Sequence, residues 1–88
     1  MISSGKAIIR ADVGLHARPA ADFVRAVEMS QHKVNVSKGT KTVAGESILG
    51  VLSLAAHQGD EIEIIVEGDR SEEVLALLIA VVEAEKNH

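Results

Sequence analysis

Gly59-Asp60-Glu61-Ile62-Glu63-Ile64-Ile65-Val66-Glu67 is the stretch on which the fold turns. Ile62, Ile64 and Val66 fall on one side of an extended chain, with Glu61, Glu63 and Glu67 around them. This is the period-two pattern of a strand with one face in a core and the other in water. Residues 61 to 67 therefore read as a strand entered through the Gly59-Asp60 turn. Downstream of Gly68, Asp69-Arg70-Ser71-Glu72 has the spacing of a capping box, and Val74, Leu75, Leu78, Val81 and Val82 form the apolar stripe of a terminal helix. Upstream, Ser47 stands where an N-cap hydroxyl can accept a bond from the next turn, and Ile48 to Ala56 reads as a short helix. Before it, Val34 and Val36 alternate with Asn35 and Ser37, Gly39 supplies a turn and Lys41-Thr42-Val43 returns, which predicts a hairpin over residues 33 to 44. From Ala17 to Met29, Ala20, Phe23, Val24 and Val27 recur at three and four while Asp22, Arg25 and Glu28 take the other side, so this segment is an amphipathic helix with Pro19 in its first turn. Lys6 to Ala11, with Ala7, Ile9 and Ala11 on one face, reads as the first strand.

The order is β-α-β-β-α-β-α. A chain this short buries two apolar layers best by laying helices on one face of an antiparallel sheet, an α+β solution. The 88 residues, 47% of them apolar, support one domain, 1–88, with no linker or repeat. Phe23 is the one aromatic residue, which excludes a stacking platform for bases and an aromatic cage for a cofactor. Net charge is −4, which argues against a general nucleic-acid or membrane-surface binder. That charge is uneven: residues 1–42 carry +4 and residues 43–88 carry −8, so anion-handling chemistry is expected in the first half. The longest apolar run, Val74 to Val82, has nine residues, too few to span a bilayer. The absence of Cys fits a reducing compartment, and the first residues lack a signal-peptide pattern, so a cytoplasmic protein is expected.

Four histidines are present, His16, His32, His57 and His88. None is spaced from another as helical metal ligands are, and no Cys completes a zinc set, so neither metal nor cofactor is expected. His32, His57 and His88 read as exposed polar residues. His16 is different, because Gly14-Leu15-His16-Ala17-Arg18-Pro19 is a loop entering a helix. There the first N–H groups are unpaired and the dipole is positive. Imidazole, with an ordinary pKa of about 6.5, is a competent nucleophile near neutrality. A phosphoryl group placed on His16 could be held by the N–H groups of Ala17 and Arg18, with the Arg18 guanidinium adding a forked, permanent positive charge.

The stretch Gly14-Leu15-His16-Ala17-Arg18-Pro19-Ala20-Ala21, followed by Phe23-Val24, resembles the active-site signature of HPr, the histidine-containing phosphocarrier family of the bacterial phosphoenolpyruvate-dependent phosphotransferase system. Glu46-Ser47-Ile48-Leu49-Gly50-Val51-Leu52-Ser53-Leu54 is similar to that family's serine-site segment, and Gly59-Asp60 through Gly68-Asp69 to its last strand and turn. The resemblance implies an open-faced two-layer sandwich: a four-stranded antiparallel sheet of order 1-4-2-3 with three helices on one face. It implies that Nδ1 of His16 accepts a phosphoryl group from phospho-enzyme I and passes it to IIA components, with Arg18 screening the charge. Pro19, Ala21, Arg25, Ile48, Leu49 and Leu52 match the surface that docks both partners. Since so short a helix cannot expose all its apolar residues, Ile48, Leu49 and Leu52 should divide between core and surface. Ser47 matches a regulatory serine, which brings a serine kinase and transcriptional regulators into the set of implied partners. The expected product is a monomeric carrier, not a turnover catalyst.

Two positions depart from the family pattern. Glu46 stands where Lys is frequent, and an acidic neighbour works against a phosphoserine. Val13 stands where a small hydroxyl or amide residue is frequent, and its side chain has no donor. Two other functions compete with the sugar-uptake carrier. One is the nitrogen-regulatory branch of the same family, with the same chemistry at His16. The other is a small α/β ligand-binding regulatory module, which would not need His16, Arg18 and Pro19 at a helix start.

Overall fold

The computed structural model of the chain describes residues 1–84, so His88 lies outside the described residues. Its elements are β1 (Ile2–Ile8), α1 (Ala17–Ser30), β2 (Lys33–Lys38), β3 (Lys41–Ala44), α2 (Ile48–Ser53), β4 (Glu61–Glu67) and α3 (Ser71–Ala84). The strands form one antiparallel sheet of order β1-β4-β2-β3. This is the βαββαβα sandwich, with three helices, that the pattern and the resemblance both imply.

The strand with the cleanest alternation sits inside the sheet, between β1 and β2. Ile64 lies opposite Gly5 on one side and Val36 on the other, and Val66 lies opposite Ser3 and Val34. Ala7, Val34, Val36, Ile62, Ile64 and Val66 are all buried beneath the helices, together with Phe23 and Val27 of α1, Val51 of α2 and Leu78 and Val82 of α3. Side chains of period two from the sheet and period 3.6 from the helices thus meet in one aliphatic layer. No helix among the described residues is long and apolar enough to cross a membrane.

Three boundaries differ from the sequence reading, each for a local reason. The first strand runs from Ile2 to Ile8, not from Lys6 to Ala11. Ile2 to Lys6 has no apolar alternation of its own, and its extended form is imposed by pairing with β4 all the way to Glu67. Gly5 faces α3 there, where a Cβ would stand 3.1 Å from Cδ1 of Ile79, so a side chain would oblige the Ile79 side chain to give by a few tenths of an ångström. Beyond Ile8 the chain still bonds to the β4 approach, Ile9 N–H donating to Asp60 O at 2.9 Å and Gly59 N–H to Ile9 O at 2.8 Å.

The second helix ends at Ser53, short of Ala56, because Leu54 N–H turns back to Val51 O and Ala55 takes the left-handed conformation at φ 52°. Lysines from the hairpin then cap the freed carbonyls: Lys41 Nζ donates to Ser53 O at 3.0 Å and Lys38 Nζ to Ala55 O at 3.1 Å. The terminal helix begins at Ser71, and the carbonyl of Arg70, not a capping box from Asp69, accepts the N–H groups of Glu73 and Val74. Ser71 is fully buried, and its hydroxyl meets that of Ser3 at 2.7 Å, tying α3 to β1.

Candidate functional site

Leu15 anchors the loop that presents His16. Its side chain is buried in the core, and its N–H donates to Ala56 O at 2.8 Å. Gly14 makes this approach possible. At φ 73° it is left-handed, and a Cβ there would lie 2.4 Å from Ala56 O and 3.0 Å from the Cα of His57. No side chain fits, so the loop before α1 is pressed against the loop after α2.

His16 is the N-cap of α1, with extended backbone at φ −131° and ψ 168°, and its side chain makes no capping bond. It is half-buried. The ring is therefore free to carry something else. The N–H groups of Ala17 and Arg18 have no carbonyl four residues back within the helix, and the first turn of α1 holds no acidic residue. Fourteen residues of aligned peptide dipoles thus end on a positive pole that no first-turn side chain compensates. Ala17 itself is left-handed at φ 49°, an uncomfortable conformation for a residue with a Cβ.

Arg18 lies one residue into the helix, 84% exposed, with Nε 3.7 Å from Asp22 Oδ2. In this state it faces Asp22 along the helix and not the imidazole. An exposed pair of this kind contributes at most about 1 kcal/mol, so little opposes a swing of the guanidinium toward an anion on His16. Ala21 and Arg25 are exposed and follow Ala17 at intervals of four, which gives one stripe down the outer face of α1. Pro19 does not join that surface. It is buried, because α1 turns its third residue inward, so it shapes the start of the helix and offers partners nothing.

Beside α1 lies α2, whose apolar residues divide as the helical period requires. Leu49 is 76% exposed and Ile48 39% exposed, whereas Leu52 packs against the core. Ser47 begins this helix as a true N-cap, its Oγ accepting the Gly50 N–H at 3.0 Å, with the exposed Glu46 next to it. No group of three or more potential metal ligands comes together among the described residues.

Two histidines behave differently from the sequence reading. His32 is not a bare surface residue. Its Nδ1 lies 2.6 Å from Ser30 O and its Nε2 2.6 Å from Asp69 O, so both ring nitrogens must donate. The Asp69 carbonyl, and next the Ser30 carbonyl, accordingly raise its pKa above the ordinary value. His57, read as exposed filler in a loop, stands with its ring centroid 6.1 Å from that of His16. Nothing in sequence spacing pairs residues so far apart; only the close approach at Gly14 does. Its backbone is clamped by Asp60, with His57 N–H donating to Asp60 Oδ2 and Asp60 N–H to His57 O, both at 2.9 Å. That N–H, followed by the Lys38 ammonium at 3.3 Å, holds the Asp60 carboxyl below its ordinary pKa.

The family model described as the PTS HPr component phosphorylation site matches residues 3–84. The HPr-like protein Crh of Bacillus subtilis is 39% identical over 91% of this chain and 94% of its own length. A crystal structure of Crh from the same organism, described as a dimer with a swapped domain, superposes with a TM-score of 0.75 over 91% of this chain and 92% of that one, at 38% identity. The phosphocarrier protein HPr of Treponema pallidum is 44% identical over 73% of this chain and 70% of its own. The crystal structure of a phosphocarrier protein HPr from Bacillus anthracis matches with a TM-score of 0.87 and 37% identity, over 92% of this chain and 96% of that one.

Proposed function

Given that the chain belongs to the HPr family of the phosphotransferase system, we propose that it is a phosphoryl carrier whose acceptor is His16. The observation that supports this most is the imidazole at the head of α1. It makes no capping bond and stands before a helix start with unpaired N–H groups and no first-turn acid. On this reading the lone pair of Nδ1 attacks the phosphorus of a phosphohistidine on enzyme I. The new nitrogen–phosphorus bond forms as the donor's breaks, and the electron pair returns to the donor imidazole. The proton on Nε2 of His16 stays in place, so the positive charge moves with the phosphoryl group. The N–H groups of Ala17 and Arg18 and the helix dipole face the incoming oxygens, and Arg18 leaves Asp22 to neutralise them. Transfer to a IIA component reverses these steps with a new acceptor, and the protein ends as it began, a carrier and not a turnover catalyst.

Ala21 and Arg25 of α1 with Ile48 and Leu49 of α2 form the docking surface on this reading. The exposed apolar side chains supply contact and Arg25 the rim charge. One surface for donor and acceptor implies small interfaces and fast exchange. Sugar uptake is the downstream process we favour, in the cytoplasm and as a monomer. The likeness to Crh, the catabolite repression protein of Bacillus subtilis, favours one second reading, a regulatory protein that acts through phosphorylation of Ser47 by a kinase and through contact with transcriptional regulators. Incubation with phosphoenolpyruvate and enzyme I separates the two. A carrier takes up one acid-labile phosphoryl group that His16→Ala abolishes, and a protein acting through Ser47 alone takes up none.

A further inference from the structure

We propose that His57 is the second imidazole of the phosphoryl site: protonated, it donates a hydrogen bond to the phosphoryl group on His16 and offsets part of its charge. This rests on the carrier reading of His16 and adds a residue to it. The two rings stand 6.1 Å apart, centroid to centroid, and tilted by 45°. That separation is within the range of ring contact, about 4.5–7 Å, yet no hydrogen bond joins the rings. At that separation, a tetrahedral group on a His16 nitrogen turned toward His57 would come within reach of a donor on that ring.

Three features of the site favour His57 for this role. Its backbone is fixed in both directions by Asp60, so the ring's point of origin does not wander. Its ring nitrogens take no hydrogen-bond partner among the described residues, whereas both nitrogens of His32 are engaged. The loop before His16 supplies no side-chain donor at Val13, which is half-exposed and has none, so His57 adds a contact to the one Arg18 makes on leaving Asp22. Of the two carboxylates near His57, Asp60 is paired with a cation and Asp12 only with a neutral amide. Asp60 is held by Lys38, and Asp12 accepts from Gln58 Nε2 at 3.0 Å, while Gln58 also reaches Arg10 O. Both carboxylates are present before and after loading, so the charge that loading adds beside His57 is that of the phosphoryl dianion.

Proton binding at His57 and phosphoryl occupancy at His16 must then favour each other reciprocally. Histidine side-chain NMR titration of the free protein, and of protein loaded with phosphoramidate, reads this directly. Phosphoramidate is a small donor that needs no partner protein, so the result does not depend on whether enzyme I recognises the chain. Loading His16 is expected to raise the His57 titration midpoint by about half to one pH unit, the shift that a dianion a few ångströms away produces at a wet surface. The midpoint of His32 should move far less, and treatment of His16→Ala should leave His57 where it was. A His57 midpoint that moves no more than that of His32, or a rise that persists in His16→Ala, overturns the proposal.

Discussion

Ala17 pairs poorly with its own backbone, and it does so one residue from the proposed acceptor, His16. A left-handed residue with a Cβ costs about 1–2 kcal/mol, and such positions gather where geometry serves a site. At φ 49° it turns the chain so that His16 stays extended while Arg18 is already helical. Ala17→Gly should therefore raise stability by about 1 kcal/mol, less what the freer unfolded chain takes back. Urea unfolding checks this, and an unchanged or lower midpoint would contradict the strain. The guanidinium of Arg18 tells a complementary story. Its contact with Asp22 is long and exposed, so the proposed phosphate ligand is held on its own helix without being committed there.

At the scale of elements, His32 links the end of α1 to the turn before α3 by donating from both ring nitrogens. Two carbonyl acceptors favour the imidazolium, so its pKa is higher folded than unfolded. The link's contribution is then fully present below the unfolded value of about 6.5 and is lost as pH rises through the higher folded value. Melting of wild type and His32→Ala across pH should show the gap between them widest near pH 5.5 and narrower at pH 9. A gap that is constant or grows with pH would contradict this. The start of α2 allows a second test, because Ser47 caps it through an oxygen that a carboxylate can replace. Ser47→Asp should keep the helix but place a negative charge beside Ile48 and Leu49, slowing enzyme I-dependent loading about tenfold through like-charge repulsion with the approaching phosphoprotein. Loading by phosphoramidate should be unaffected, and unchanged enzyme I kinetics would contradict a docking surface that includes Ile48 and Leu49 beside Ser47.

The same scale explains what could and could not be seen in the linear chain. β4 was legible because it lies with one face on the core, so every second residue is a β-branched apolar one. α1 was legible down to its inward residues, Phe23 to Val27. The beginning of β1 was not, because Ile2 to Lys6 is held in place by its neighbour's hydrogen bonds and not by side-chain pattern. Nor was the end of α2, which is decided by a left-handed alanine and two lysines from a distant hairpin. His16 and Arg18 stood out by their place at a helix start. His57 did not, since its approach to His16 depends on a glycine with no room for a Cβ.

For the whole molecule, the division of charge acquires a structural meaning. Because β4 of the acidic half lies between β1 and β2 of the basic half, their charges meet across the sheet, as Lys6 with Glu61 and Lys33 with Glu67. Lys38 is likewise taken by Asp60. Three of the seven cations of the first half are thus paired with acids of the second, and the positive field at the site comes from the head of α1, Arg18 and Arg25. The sheet's edges are also blunted: β3 is four residues long and begins with Lys41, and β1 presents Lys6. We accordingly expect one chain per particle in sedimentation at micromolar concentration, and a dimer there would contradict this. Incubated with phosphoenolpyruvate and enzyme I, the wild-type protein should gain one acid-labile phosphoryl group and His16→Ala none, whereas full labelling of His16→Ala, or no labelling of the wild type, would contradict it.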